Sequence, residues 1–157
     1  MTIVRTILLS FTPYWFERLE NNTLKFEYRK HFPQDESTVY FYISSPIKAI
    51  SGCAFCLHPE PLCTWLERFK DRPNNVLLRI NDYLNDCRYA VPIHTFQKTN
   101  KISLQKLQQD IPNFIVPRMY YYIDNSYLLQ YIESNLIPVC PPFITNLSEI
   151  QNSDICC

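Results

Sequence analysis

The chain has 157 residues with 15 basic and 15 acidic side chains, and this zero formal charge argues against tight, non-specific binding of a long duplex. Hydrophobic residues make up 46% and aromatic residues 15% of the sequence, which predicts one domain with a well-packed core. Gly52 is the single glycine, so Gly-rich phosphate-binding loops of the Rossmann and P-loop types are excluded.

The cysteine and hydropathy patterns predict a cytoplasmic protein. Seven cysteines, an odd number without a secretory context, are typical of reduced thiols in a cytosol. The apolar run Ile3–Phe11 is short and lacks a small-residue cleavage site, and no window reaches the roughly 20 apolar residues of a membrane span. Residues 119–157 carry four acids and no Lys or Arg, so residues 1–118 have a surplus of 15 − 11 = 4 basic groups. That surplus is compatible with a modest nucleic-acid or nucleotide contact.

Short strands flanked by helices predict an α+β fold, a small barrel or strongly bent sheet with peripheral helices. The predicted elements, in chain order, are strand Val4–Ser10, a helix from Thr12-Pro13 to about Glu20, a strand from Leu24, strand Thr38–Ile43, strand Ile47–Leu57 broken near Gly52, helical segments Pro61–Lys70 and Val76–Asp86, strand Tyr89–Phe96, a short helix Ser103–Gln109, strand Met119–Ile123 and a helix at about 124–135. We expect one domain over residues 1–137, followed by an irregular, loosely docked tail at 138–157.

The strand from Leu24 carries the most informative pattern. Because side chains alternate along a strand, Lys25, Glu27 and Arg29 share one face, with a basic, acidic, basic order. In a cleft, the planar guanidinium of Arg29 would bind a phosphate or a base edge, and Glu27 would accept from an exocyclic amine or hold Arg29. On an open surface the same row would be an ordinary salt-bridged face of little energetic consequence.

The sequence predicts neither a metal nor a cofactor. Cys53 and Cys56 lie three residues apart with His58 close behind, but an i, i+3 pair in a strand points to opposite faces. No second CxxC or CxxH completes a tetrahedral site, and no G-x-S-x-G or other nucleophile triad is present.

Several separated motifs over roughly residues 3–123 resemble the ASCH domain, a member of the PUA-like superfamily with a small β-barrel. These motifs are Leu8-Leu9-Ser10 before a Pro-started helix, Asn22-Thr-Leu-Lys-Phe-Glu27-Tyr-Arg29-Lys, and Tyr42-Ile-Ser-Ser45-Pro46-Ile-Lys48 leading to Gly52. The second motif is similar to the family signature G-x-K-x-x-E-x-R, which lies beside the ligand cleft. The run Pro117–Tyr122 makes the chain look closest to the stand-alone subgroup described as predicted transcriptional regulators.

The resemblance implies a nucleic-acid-binding module, with a regulatory role, that recognises RNA or a modified base, nucleoside or nucleotide in its cleft. Glu27 and Arg29 match the signature and would be central, and Lys25 and Lys48 would supply charge. The resemblance also places Ser10 and Ser45 near the cleft. Tyr120 and Tyr122, which share a strand face, would stack on a base, although aromatic strand residues commonly form core.

The chain departs from the signature at two positions, and this leaves two other functions open. Asn22 stands at the Gly position, and Leu24 stands at the Lys position that belongs to the catalytic set of ASCH-type amidohydrolases acting on N4-acetylcytidine. A hydrolase, either a ribonuclease or such an amidohydrolase, would need Lys25 to replace that amine and Glu27 to act as general acid or base. Alternatively, the acidic helix around Tyr127–Glu133 would dock a partner protein or a second copy of the chain.

Overall fold

The computed structural model describes residues 3–157, so the first two residues of the predicted domain lie outside the described part. The strands are β1 (Val4–Phe11), β2 (Phe26–Arg29), β3 (Glu36–Ile43), β4 (Ala49–Cys56), β5 (Glu60–Pro61), β6 (Tyr89–Ser103), β7 (Tyr120–Tyr122) and β8 (Phe143–Ile144). The helices are α1 (Pro13–Glu20), α2 (Trp65–Arg68), α3 (Asn74–Tyr83), α4 (Leu104–Asp110) and α5 (Tyr127–Asn135), with single 3₁₀ turns at Leu62–Thr64 and Asn152–Asp154.

The strands form one mixed sheet that curls into a half-barrel, which confirms the predicted α+β fold class. Its order is β2-β6-β4-β3-β1-β7, and β5 and β8 also pair with β6. β1 runs parallel to β3, whereas the other pairs are antiparallel. The long strand β6 therefore contacts four other strands, and its first part pairs with β2 while its second part continues along β4.

Gly52 allows the break in β4 that the sequence predicts. Its φ of +79° is costly for residues with a Cβ, and the pairing of β4 with β6 shifts register between Ser51 and Cys53. A Cβ at this position would lie 2.9 Å from the ring of Phe96 and 3.0 Å from that of Phe16. The glycine therefore permits both a β-bulge and the close approach of two core aromatic rings.

Three clusters of buried side chains hold the layers together. The first fills the curl of the sheet beneath α1, and its members include Ile7, Phe16, Phe41, Val91 and Phe96. The second lies under α2 and α3, around Phe26, Trp65, Val76, Ile80 and Ile155. The third joins the outer sheet face to α4 and α5 through Leu8, Ile50, Leu107 and Ile132. Because Ile132 is fully buried, α5 covers a part of the core.

The tail differs from the sequence expectation of loose docking. Although it is mostly irregular, it returns to the domain, and Ile155 and Cys156 are buried in the second cluster. The hydroxyl of Tyr28 donates to the Asp154 carbonyl at 3.0 Å and accepts from the Cys156 N–H at 2.8 Å. Arg72 also donates to the Ile150 carbonyl at 2.6 Å. The tail is thus fixed by an apolar anchor and by hydrogen bonds.

Two middle elements also differ from their predicted lengths. β6 continues to Ser103 instead of ending near Phe96, because its second half finds hydrogen-bond partners in β4. The segment Pro61–Lys70 contains a 3₁₀ turn and the four-residue helix α2 instead of one continuous helix. Short apolar repeats of this kind do not define where a helix begins and ends.

Candidate functional site

A polar cleft of about 350 Å³ opens where β1 leads into α1. β2 forms the opposite wall, and the residues just before β7 complete the rim. The lining residues are Ser10, Phe11, Thr12, Trp15, Glu27, Tyr28, Arg29, Ser44 and Arg118. The volume lies within the range of roughly 300–1,000 Å³ that is typical of small-molecule sites.

Glu27 and Arg29 form a closely bonded pair in the wall of this cleft. Arg29 Nε donates to Glu27 Oε1 at 2.7 Å. The Arg29 side chain is only 22% exposed, and the Glu27 side chain only 15%. Arg29 Nη2 donates to the Ser10 carbonyl at 3.0 Å. The pair is therefore partly buried and fixed in orientation, unlike an exposed salt-bridged row. Within residues 3–157, Glu27 Oε2 and Arg29 Nη1 have no hydrogen-bond partner and remain available for a ligand.

The environment of Glu27 raises the pKa of its carboxyl group. Burial is the main cause because it disfavours the charged form, and the charge and hydrogen bond of Arg29 oppose it. A carboxyl group with a raised pKa in a cleft is a frequent feature of functional sites.

A second, more apolar cavity of about 190 Å³ adjoins the cleft. Trp15, Glu27 and Tyr28 line both spaces. The remaining walls of the smaller cavity come from Leu24, Phe26, Tyr83 and Cys87. The carboxyl group of Glu27 therefore lies between a polar compartment and an apolar one.

Leu24 occupies the position where the family signature has Lys. It is 4% exposed and packs in the first core cluster while also lining the apolar cavity. An apolar side chain at this position supplies no amine to the site.

Lys25 lies outside the cleft, although strand alternation predicts that it shares a face with Glu27 and Arg29. β2 begins at Phe26, so Lys25 precedes the regular strand. Its ammonium group lies 3.1 Å from Asp154 Oδ2 and donates to the Glu149 carbonyl at 2.7 Å. The side chain therefore binds the tail, which the sequence pattern did not place near it.

Of the other predicted site residues, the structure brings only Ser10 to the cleft. Ser45 and Lys48 lie in the exposed turn after β3, where the neighbouring Ser44 faces the cleft instead. Tyr120 packs against Phe32 of the core, and its ring centroid lies 6.0 Å from that of Phe32. Tyr122 is partly covered by the guanidinium of Arg5 at 3.8 Å.

The sequence reasoning missed six cleft residues: Phe11, Thr12, Trp15, Tyr28, Ser44 and Arg118. Thr12 stands at the predicted start of the first helix, and its hydroxyl makes no capping hydrogen bond. Trp15, which lies within the predicted first helix, is half-buried and borders both cavities. Arg118 belongs to the Pro117–Tyr122 run that carries part of the resemblance, and this was its one sequence signal, since a basic residue within a family motif is a candidate ligand contact.

The cysteine and histidine pattern gives no metal centre in the described part of the chain. Cys56 is buried in the first core cluster, whereas Cys53 lies on the other face and borders a separate groove with Tyr40. His58 is exposed, and its ring nitrogen Nδ1 lies 2.9 Å from the Gln34 carbonyl oxygen. Among residues 3–157 no group of three or more His, Cys, Asp or Glu side chains is placed to hold a metal ion.

No protein-family model and no curated protein matches the chain. The crystal structure of ASCH from Zymomonas mobilis has a TM-score of 0.66 at 17% identity, covering 85% of this chain and 97% of that chain. The structure of a serine-to-alanine mutant of that protein has a TM-score of 0.64 at 17% identity, covering 84% of this chain and 96% of that chain. The structure of a tyrosine-to-phenylalanine mutant has a TM-score of 0.62 at 16% identity, covering 84% of this chain and 99% of that chain.

The chain therefore has the fold of an ASCH domain, as the sequence motifs predicted. Similarity at 16–17% identity defines the fold only, so any inference about a ligand must come from the residues of the site. Membership of the transcriptional regulator subgroup stays a prediction. Among the described residues, no helix has both the length and the apolar character needed to cross a bilayer.

Proposed function

We propose that the chain is a nucleic-acid-binding module whose cleft receives one base of an RNA, or a free modified nucleoside or nucleotide. The observation that carries this proposal is the Glu27–Arg29 pair in the cleft wall, with one carboxylate oxygen and one guanidinium nitrogen left without a partner in residues 3–157. A fixed acceptor beside a fixed donor matches the edge of a nucleobase that carries an amine next to a ring acceptor. Ser10 and Ser44 add further polar groups along the lining.

Trp15 supplies the aromatic face for this proposed site, the role that the sequence reasoning gave to Tyr120 and Tyr122. Its side chain borders both compartments and is only half-buried, so a base entering the cleft would meet the indole. Stacking on an aromatic side chain contributes about 1–3 kcal/mol per base. Recognition by stacking and local hydrogen bonds also agrees with a chain of zero net charge.

The proposal is tested by titrating the protein with single-stranded RNA, tRNA and a panel of modified nucleosides. We expect Arg29→Lys to weaken binding by about 10-fold or more, because lysine keeps the charge but lacks the planar fork. Trp15→Ala should weaken binding without the loss of a charge. Arg88→Ala is the matched control, since Arg88 is exposed and borders a different pocket.

Thermal melts of each variant separate loss of binding from loss of fold. Arg29→Ala is unsuitable alone, because it would leave the partly buried Glu27 carboxylate without its partner. Equal affinities for the wild type, Arg29→Lys and Trp15→Ala, or no binding of any ligand in the panel, would refute the proposal.

The raised pKa of Glu27 favours one second candidate, a hydrolase that acts on RNA or on an acylated cytidine. Glu27 would serve as its general acid or base, without the help of Lys25, whose ammonium group binds the tail. Incubation with labelled RNA and with N4-acetylcytidine tests this function. Turnover by the wild type that disappears in Glu27→Gln would establish it, and no turnover of either substrate would exclude it for those substrates.

A further inference from the structure

The charged groups that line the cleft are not balanced. Glu27 contributes one negative charge, whereas Arg29 and Arg118 contribute two positive charges. Arg29 is neutralised by its bond to Glu27. Arg118 is exposed, and within residues 3–157 it has neither an ion-pair partner nor a side-chain hydrogen bond. The cleft therefore has one cationic group that no carboxylate of the described chain compensates.

The backbone holds this cation next to the Glu27–Arg29 pair. The Ser10 N–H donates to the Met119 carbonyl at 2.8 Å, and the Ser10 carbonyl accepts from Arg29 Nη2 at 3.0 Å. The N–H and C=O of one strand residue point toward the same edge of the strand. Arg29 and the segment 118–119 therefore lie side by side along one edge of β1.

Arg118 combines a fixed backbone with an unengaged side chain. Pro117 before it is buried, and Met119 after it is bonded to β1. A guanidinium group positioned in this way can bind phosphate oxygens through two parallel hydrogen bonds without a rearrangement of the chain.

We propose that Arg118 binds the phosphate group of the ligand, so that the preferred small ligand is a nucleoside monophosphate rather than a neutral nucleoside. This inference rests on the proposed function, in which Glu27 and Arg29 hold the base. The phosphate lies at the open rim near Arg118, and the base lies deeper against Trp15. For an RNA ligand, the same contact is made to the backbone phosphate beside the recognised base.

The test compares the four ribonucleosides with their 5′- and 3′-monophosphates by NMR titration, at low and at physiological salt. In the wild type we expect at least one monophosphate to bind about 10-fold tighter than its nucleoside, as a charge-assisted contact provides. Arg118→Ala should abolish this difference, and Arg118→Lys should restore a part of it. Arg88→Ala should keep the full difference. The gain should shrink as salt rises, because the rim is exposed.

The outcomes separate this inference from the function on which it rests. If nucleosides and monophosphates bind equally well and both lose affinity in Arg29→Lys, the phosphate role of Arg118 is refuted and the base site stands. A phosphate-dependent gain that persists in Arg118→Ala, or that is lost equally in Arg88→Ala, also refutes it. If neither nucleosides nor monophosphates bind, the inference fails, and the RNA titration alone then decides whether the cleft binds a base. Since Arg118 is exposed, the melting temperature of its variants should match that of the wild type.

Discussion

The substitution Ile155→Ala tests whether the tail is a structural part of the domain. Ile155 has no exposed surface and packs with Trp65, Val76 and Ile80 in the second core cluster. Removing a buried isoleucine side chain down to alanine costs about 2–5 kcal/mol, depending on how far the site collapses. Because the tail can move inward, we expect a loss of about 3 kcal/mol in the free energy of unfolding. For a chain of this size that loss lowers the melting temperature by about 6–12 °C.

Urea unfolding, followed by circular dichroism and by the fluorescence of the two tryptophans, of which Trp65 is buried in this cluster, measures this loss. Ile144→Ala is the matched control, because it removes the same atoms from the same tail at a position that is 72% exposed. It should change the free energy of unfolding by less than about 0.5 kcal/mol. Stabilities of the two variants within 0.5 kcal/mol of each other would show that the tail does not contribute to the core.

Three further predictions concern a tail hydrogen bond, a strand bulge and an ion pair. Tyr28→Phe should cost about 1–2 kcal/mol, because it removes a hydroxyl that bonds two backbone groups of the tail, and hydrogen exchange should rise at Cys156. Gly52→Ala should cost more than about 2 kcal/mol in a thermal melt, since a Cβ would contact the Phe96 ring at 2.9 Å with φ at +79°. Asp124→Asn should lose less than about 1 kcal/mol at neutral pH, and its difference from the wild type should vanish in acid.

The sign of the acid effect follows from the pKa of Asp124. Burial raises this pKa, but the Thr6 N–H and the Arg5 guanidinium together outweigh burial and hold it below the ordinary value of 3.8. A lowered pKa stabilises the fold above pH 3.8, and that stabilisation is lost as the pH falls through the folded-state value. A difference between Asp124→Asn and the wild type that grows below pH 3.8 would contradict this assignment. Unchanged exchange at Cys156 in Tyr28→Phe, or an unchanged melt for Gly52→Ala, would contradict the other two predictions.

Local patterns were sufficient to predict most of the elements. The Thr12-Pro13 pair set the start of α1, apolar runs located β1 and β3, and Gly52 located the break in β4. Element lengths that depend on distant partners were not predictable. β6 continues past Phe96 because β4 provides hydrogen-bond partners, and no feature of residues 97–103 alone indicates this.

The sequence predicted correctly only those neighbouring site residues that lie on one regular strand. Alternation within β2 correctly brought Glu27 and Arg29 together, since both residues belong to the same regular segment. Lys25 was misplaced because the ion pair that turns it away joins residues 129 positions apart. Trp15 belongs to α1, Ser44 to the turn after β3 and Arg118 to the segment before β7, and only the curl of the sheet brings them to one cleft.

In the curled sheet, β2 and β1 face each other across a gap that a side-chain hydrogen bond spans. β2 and β1 are separated by three strands in the sheet order, and in the described chain no backbone ladder joins them directly. Arg29 crosses this seam to the Ser10 carbonyl, and the cleft lies along the same seam. A bound ligand would therefore link β2 to β1 across this gap and oppose the uncurling of the sheet. Saturation at 100 times the dissociation constant would add about 2.7 kcal/mol to the free energy of unfolding, so thermal shift alone could screen for the ligand.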